Sequence, residues 1–367
     1  MNELALRTNK GLYVGGETVY GAVYLQIDRV TSGTGVKLKF HGYEDFYYEE
    51  RGSQRYSSTG EFSVMRGRKE HFDVEVPIYT STDPIPLGCY VFPFQYELPA
   101  DLPATFHCKG PLYEATIKYE VKACVIGKET NLKVSQPLII REVVEPSLLK
   151  DAVRYEDQSE VLKCGCYRQG DISVVASLDK TEYTVGDTGT VSVDISNSTS
   201  VKIRNIRVNM KRVVHLMKGQ WVCTAAAAEA SKMSSRMSAT AGQPGPLVEK
   251  VWSETREGTS NKKVELALPV ELKNLPPVVN LGKHIKCVYR ILVDVGLKSS
   301  LSLPTGLLKI PYLHPPGNSE WDDWKPPHWV SQCERMTVEG KFAVSSNVLA
   351  QEEFAGLPTF QVLVENK

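Results

Sequence analysis

ATFHCKGPLYEATIKYEVKACV, residues 104–125, opens as a loop and ends as a strict alternation. Pro103 stands behind it and Gly110-Pro111 within it. Ile117, Tyr119, Val121, Ala123 and Val125 then fall on one face, with Thr116, Lys118, Glu120 and Lys122 on the other. Period two over that length predicts a strand with one face on a core and one in water.

The same signature recurs along the chain. Val19, Gly21, Val23, Leu25 and Ile27 alternate with Tyr20, Ala22, Tyr24 and Gln26, after a turn at Val14-Gly15-Gly16-Glu17. Val36, Leu38 and Phe40 predict a second strand, and Phe72, Val74 and Val76 another before Pro77. The polar, Arg/Ser-rich run from Gly52 to Arg68 is expected to be a mobile loop. Gly and Pro turns recur every ten residues or so and few stretches suit a long helix, which predicts a sandwich.

A repeat then sets the architecture. Tyr13, Gly16, Glu17 and Thr18 match Tyr183, Gly186, Asp187 and Thr188, a shift of 170. At the same shift Val23 and Leu25 match Val193 and Ile195, and Leu38 and Phe40 match Val208 and Met210. Tyr119, Val121 and Ala123 match Tyr289, Ile291 and Val293. A constant shift over separate strands predicts an all-β chain of two tandem immunoglobulin-like sandwiches. The expected division is an N-domain at 1–143, a polar linker at 144–165, a C-domain at 166–315 and a tail at 316–367. Within the C-domain, the Ala/Ser/Met-rich run Gly219 to Gly245 reads as a long hairpin loop.

Composition bounds the function. At 367 residues the chain exceeds one ordinary sandwich, and at 42% hydrophobic and 23% charged it can bury real cores. Lys+Arg and Asp+Glu both total 43, which argues against a whole-domain basic footprint for nucleic acid while leaving room for a local patch. MNELALRTNKG has no apolar signal-peptide core, no stretch approaches a membrane helix, and the eight Cys are scattered. The expectation is an intracellular, soluble protein.

These features together resemble the arrestin-domain-containing proteins, the alpha-arrestins, over roughly residues 10 to 315. A Gly-Pro loop running into an alternating I-x-Y-x-V strand, and VKLKFHGYEDFYYEE with its His-Gly break, resemble that family's N-domain. LKCGCYRQGDISVVASLDKTEYTVGD resembles the opening of its C-domain. KKVELALPVELKNLPPVVNLGKHIKCVYRILVDV and SLPTGLLKIPYLHPP resemble its later strands. The resemblance implies a non-enzymatic adaptor in membrane-protein trafficking that engages cytoplasmic regions of its cargo, peripherally at the plasma membrane or endosomes. It also implies a link to a ubiquitin ligase through a Pro-Pro-x-Tyr motif read by WW domains. Here the chain departs: Pro276-Pro277, Pro315-Pro316 and Pro326-Pro327 all lack the Tyr, so that link would be indirect. The alternative within the same architecture is a structural subunit of a retromer-like or coat sorting complex.

Candidate chemistry is sparse. Cys164-Gly165-Cys166 has no second ligand pair nearby unless the fold brings His284 and Cys287 to it. His107 and Cys108, adjacent on an extended chain, point to opposite faces and make no nucleophile pair. Glu17 and Asp187 sit at duplicated turns, which explains them without catalysis. No phosphate loop, nucleophile elbow or metalloprotease motif occurs, so no enzyme, cofactor or metal is expected. Two groups remain as binding candidates. Arg207 and Lys211, with Lys202, Arg204 and Arg212 close by, form a basic stripe suited to anionic lipid or phosphorylated cargo, or else a solvated face. Trp321, Trp324 and Trp329 lie in a polar tail segment that either packs on the body or meets a partner.

Overall fold

The computed structural model describes residues 1–51, 62–127, 132–143, 153–163, 167–218, 221–222, 247–258, 263–297 and 306–335. The first half holds β1 (Glu3–Thr8), β2 (Leu12–Val14), β3 (Thr18–Ile27), β4 (Gly35–Arg51), β5 (Phe62–Thr80), β6 (Gly88–Glu97), β7 (Phe106–Gly110), β8 (Tyr113–Ile126) and β9 (Lys133–Arg141). One sheet runs β1-β3-β6; the other runs β2-β9-β8-β4-β5, with β7 also on β8. The second half holds β10 (Arg154–Lys163), β11 (Tyr167–Leu178), β12 (Glu182–Thr184), β13 (Thr188–Asn197), β14 (Ile203–Lys218), β15 (Trp221–Val222), β16 (Leu247–Glu257), β17 (Lys263–Glu271), β18 (Ile285–Leu297), β19 (Gly306–Ile310) and β20 (Tyr312–His314). Its sheets run β10-β11-β13-β17 and β15-β14-β18-β19, with β16 also on β14 and a small parallel pair β12-β20. A last strand, β21 (Glu334–Arg335), returns to pair with β6 of the first half.

The opening alternation behaves as its pattern demands. Ile117, Tyr119, Val121, Ala123 and Val125 are all buried. Each aliphatic side chain so enclosed contributes roughly 1.5–3 kcal/mol relative to exposure. The opposite face is less uniform. Lys118 and Lys122 reach solvent, but Glu120 is enclosed, its carboxylate 3.3 Å from the Lys118 ammonium and 2.5 Å from that of Lys122.

The 170-residue repeat holds down to hydrogen bonds. Tyr13 donates its hydroxyl to Asn9 Oδ1 at 2.7 Å and accepts from the Lys10 amide at 3.1 Å. Tyr183 does the same with Asp179 at 2.7 Å and Lys180 at 3.2 Å. The Tyr119 hydroxyl donates to the Pro103 carbonyl at 2.9 Å, and that of Tyr289 to Pro276 at 2.7 Å. Register repeats as well: Phe40 lies opposite Val121, and Met210 opposite Ile291. In both turns the third residue lies in the left-handed region, Gly16 at φ 83° and Gly186 at φ 107°, where only glycine is unstrained.

Two expectations change. Residues 62–68, expected in a mobile loop, belong to β5, which pairs with β4 out to Arg51. Cross-strand cation–π pairs explain this extension: the guanidinium of Arg66 lies 5.3 Å from the Tyr47 ring and that of Arg68 lies 4.4 Å from Tyr43. Residues 52–61 lie outside the described residues. Arg154–Lys163, read as linker, is strand β10, pairing antiparallel with β11 as an edge of the C-domain sheet. Its polar residues face solvent on an edge strand, which is why composition alone gave the appearance of a linker. The run 223–246 and the Cys164–Cys166 motif also lie outside the described residues.

Candidate functional site

The two halves meet through a buried carboxylate. Glu142 follows β9 directly and is almost fully enclosed. It accepts the backbone amides of Asn280 at 2.9 and 3.0 Å, Leu281 at 3.0 Å and Ala104 at 3.3 Å. Asn280 and Leu281 belong to the loop between β17 and β18, so an N-domain side chain stitches down a C-domain loop. Burial pushes the Glu142 carboxyl up, against the pull of those amides. Nearby, wholly buried Glu44 accepts the Lys283 amide at 3.0 Å and lies 3.9 Å from the His71 imidazole. Burial lowers the His71 pKa, against the opposing pull of Glu44. His284 donates its Nδ1–H to the Met217 carbonyl, 2.8 Å away, and its ring meets Phe46 edge-on, so it is engaged in this junction. Cys287 is fully buried in the C-domain core.

The other candidate chemistry resolves into local structure. The His107 imidazole is exposed and contacts the Thr116 hydroxyl at 3.1 Å, whereas Cys108 is buried against the Tyr113 hydroxyl at 3.2 Å. Glu17 accepts the Val14 amide at 2.9 Å and Asp187 the Thr184 amide at 2.8 Å, each closing its own turn.

The three tryptophans lie on the N-domain. After β20 the chain forms one helical turn, Ser319–Asp322, capped by Asn318, whose side-chain amide also donates to the Pro137 carbonyl at 3.1 Å. The Trp321 indole donates to the Thr8 carbonyl at 2.9 Å. The Arg7 guanidinium lies 3.8 Å from the Trp321 ring centre and 4.9 Å from that of Trp324, and also donates to the Trp321 carbonyl. Trp329, only 1% exposed, packs with Val330 on Ala5, Ala22, Tyr24 and Val91, the outer face of β1-β3-β6. Its indole donates to the Glu3 carboxylate at 2.7 Å. In this arrangement Trp329 is closed to a partner, and Trp324 remains half-exposed.

The basic stripe divides. Lys202 and Arg204 are exposed at the start of β14, and Arg207 is exposed but sits in register with Asp294. Arg212 lies on the inner face instead, buried, with its guanidinium 2.5 Å from Glu249. A bulge at Met210/Lys211 shifts the β16 pairing by one residue, and in the β18 register Arg212 pairs with Tyr289 on the core side. Lys211 joins a different set of cations. It lies in register with Lys250 of β16 on one side and Arg290 of β18 on the other, and Arg290 in turn with Lys309 of β19. Four cations thus form one row across four strands of the outer C-domain face. Lys286 stands near it, opposite His215, whose imidazole is pushed down by burial and then by Arg290 and Lys286. Val248 and Leu307, 38% and 39% exposed, lie within the same face. The sequence signal was available in part: Lys286 and Arg290 alternate with the buried residues of β18, but their alignment with Lys211 requires the register.

Residues 3–141 match the family model described as Arrestin (or S-antigen), N-terminal domain, and residues 168–312 the corresponding C-terminal domain. The chain is 25% identical over 349 residues to Arrestin domain-containing protein A of Dictyostelium discoideum, covering 86% of this chain and 54% of that protein. It is 23% identical over 211 residues to human Arrestin domain-containing protein 5, covering 56% of this chain and 59% of that one. The chain thus spans little more than half the length of these relatives. No helix among the described residues is long and apolar enough to cross a membrane. With both domain matches laid over two duplicated sandwiches, the chain belongs to the arrestin family, whose members generally act as non-enzymatic adaptors in trafficking.

Proposed function

We propose that this chain is a trafficking adaptor that rests its C-domain sheet on an acidic membrane, at the plasma membrane or endosomes, while meeting cytoplasmic segments of membrane-protein cargo. The row Lys250-Lys211-Arg290-Lys309 carries the reading. Cations held in register across neighbouring strands present their charge together to one anionic surface. The apolar Val248 and Leu307 among the cations suit the boundary between headgroups and acyl chains. The net charge is zero, so attraction is local and screened within about 8 Å at physiological salt. At about 1 kcal/mol per cation near the surface, the row and Lys286 give a weak, salt-sensitive attachment that cargo contacts must reinforce.

Co-sedimentation with phosphatidylserine vesicles tests this. Reversing Lys211 and Arg290 together to Glu is expected to abolish binding at low salt while circular dichroism shows the fold retained. Binding equal to that of the unaltered chain refutes the membrane role. Loss of binding to a phosphorylated peptide, with vesicle binding intact, would assign the row to phosphorylated cargo instead.

A further inference from the structure

β21 pairs in parallel with β6, Glu334 opposite Tyr90 and Arg335 opposite Val91. One position earlier in both strands stand Cys333 and Cys89, both free thiols and both half-buried. Neighbouring strands lie about 4.8 Å apart, inside the range of Cα separations that a disulfide spans. The two residues also share a face. Cys89 pairs with Gln26 and Gln26 with Glu3, the residue whose carboxylate holds the Trp329 indole. Cys333 donates to the Trp329 carbonyl at 3.7 Å, and Cys89 lies near enough to act on the Cys333 thiol electrostatically.

We propose that Cys89 and Cys333 form a reversible disulfide that fastens the tail segment 318–335 across the outer face of β1-β3-β6. The oxidant is a low-molecular-weight disulfide such as glutathione disulfide. The Cys89 thiolate attacks one glutathione sulfur, forming a mixed disulfide and releasing the first glutathione thiolate. The Cys333 sulfur then attacks the Cys89 sulfur, and the second glutathione leaves. The protons of the two protein thiols end on two glutathione molecules, and the two-electron oxidation of the protein balances reduction of the glutathione disulfide. Burial, and then the neighbouring charge of Cys89, push the Cys333 thiol up to about 12, which makes it the resolving rather than the attacking group. Capping Cys89 removes the contribution that Cys89 itself makes to that rise. In a reducing compartment the pair rests as thiols and closes as the glutathione pool oxidises, the behaviour of redox-sensing rather than structural cysteines.

The bond would lock a junction otherwise held by noncovalent contacts at Trp321, Trp329 and Val330. It would keep Ala5, Ala22, Tyr24 and Val91 covered. The full chain, equilibrated in glutathione buffers of rising disulfide fraction, alkylated and digested, is expected to yield a peptide pair linked through Cys89 and Cys333. Amide exchange at Trp329 and Val330 should slow at least tenfold on oxidation. Cys89→Ser and Cys333→Ala should each abolish both effects, and each variant's circular dichroism verifies folding. The proposal is overturned if Cys124, also half-buried, takes up glutathione before the linked pair forms, or if the link forms without slowing exchange at Trp329.

Discussion

Replacing Glu142 with Ala should loosen the junction between the domains without unfolding either. Its carboxylate is the acceptor for three backbone amides, at 2.9–3.3 Å, two of them in the loop that enters β18. A buried donor left without an acceptor costs about 1–3 kcal/mol. Two loop donors would therefore lose about 2–6 kcal/mol. The lower half applies, because Asn280 is half-exposed and water can enter, and because burial of the Glu142 charge already works against it. About 3 kcal/mol corresponds to roughly a hundredfold rise in the local opening constant. A global denaturation curve would blur this in a two-domain chain, so amide exchange is the better measure. Protection at Asn280 and Leu281 should fall about a hundredfold, with the β8 amides of Val121 and Ala123 unchanged. Glu142→Gln, which keeps one carbonyl acceptor, should fall between. If the Ala variant exchanges at Asn280 and Leu281 as slowly as the unaltered chain, the carboxylate does not hold the loop.

The pH dependence of the same group has a definite sign. Because its native pKa is raised, Glu142 contributes stability that is present below the unfolded value, near 4.3, and lost as pH rises through the native one. The thermal midpoint of the unaltered chain relative to Glu142→Gln should therefore fall as pH is raised from 4 to 7. His71 runs the other way: its native pKa is lowered, so its contribution is complete above the unfolded value near 6.5 and is lost as pH falls below it. His71→Gln should flatten that acid limb in a calorimetric series. In the cores, Val121→Ala and Ile291→Ala should cost about 2–5 kcal/mol, Val at the low end, whereas Lys118→Ala should stay within about 0.5 kcal/mol by denaturant midpoint. A larger loss for Lys118→Ala would invert the assigned facing of β8. Tyr13→Phe and Tyr183→Phe, which remove equivalent hydrogen bonds, should lower stability by similar amounts of about 1 kcal/mol each.

What the sequence reveals and what it hides follow from the range of each interaction. Period two and the 170-residue shift are local or self-comparing signals, and they place Val121, Ile291 and the Tyr13 and Tyr183 turns correctly because those positions answer mainly to their own sheets. Strand β10 carries little apolar pattern because it is an edge, so its identity depends on β11 alongside it. Residues 62–68 are ordered by Tyr43 and Tyr47 across the hairpin, contacts that a reading of their own composition cannot include. The basic stripe separates for the same reason. Along β14 alone, Arg207 and Lys211 look equivalent, yet register gives one Asp294 as a neighbour and the other Lys250 and Arg290. Glu142 offers no periodic signal at all, since its partners are backbone amides about 140 residues downstream, which sequence identity does not constrain. Position across the sheets, rather than composition along the chain, therefore determines which charges can act together. A double-mutant cycle between Lys211 and Arg290 should show repulsive coupling, removing both charges gaining less stability than the sum of removing each alone. The same cycle between Arg207 and Arg290, which lie in different rungs, should be close to additive.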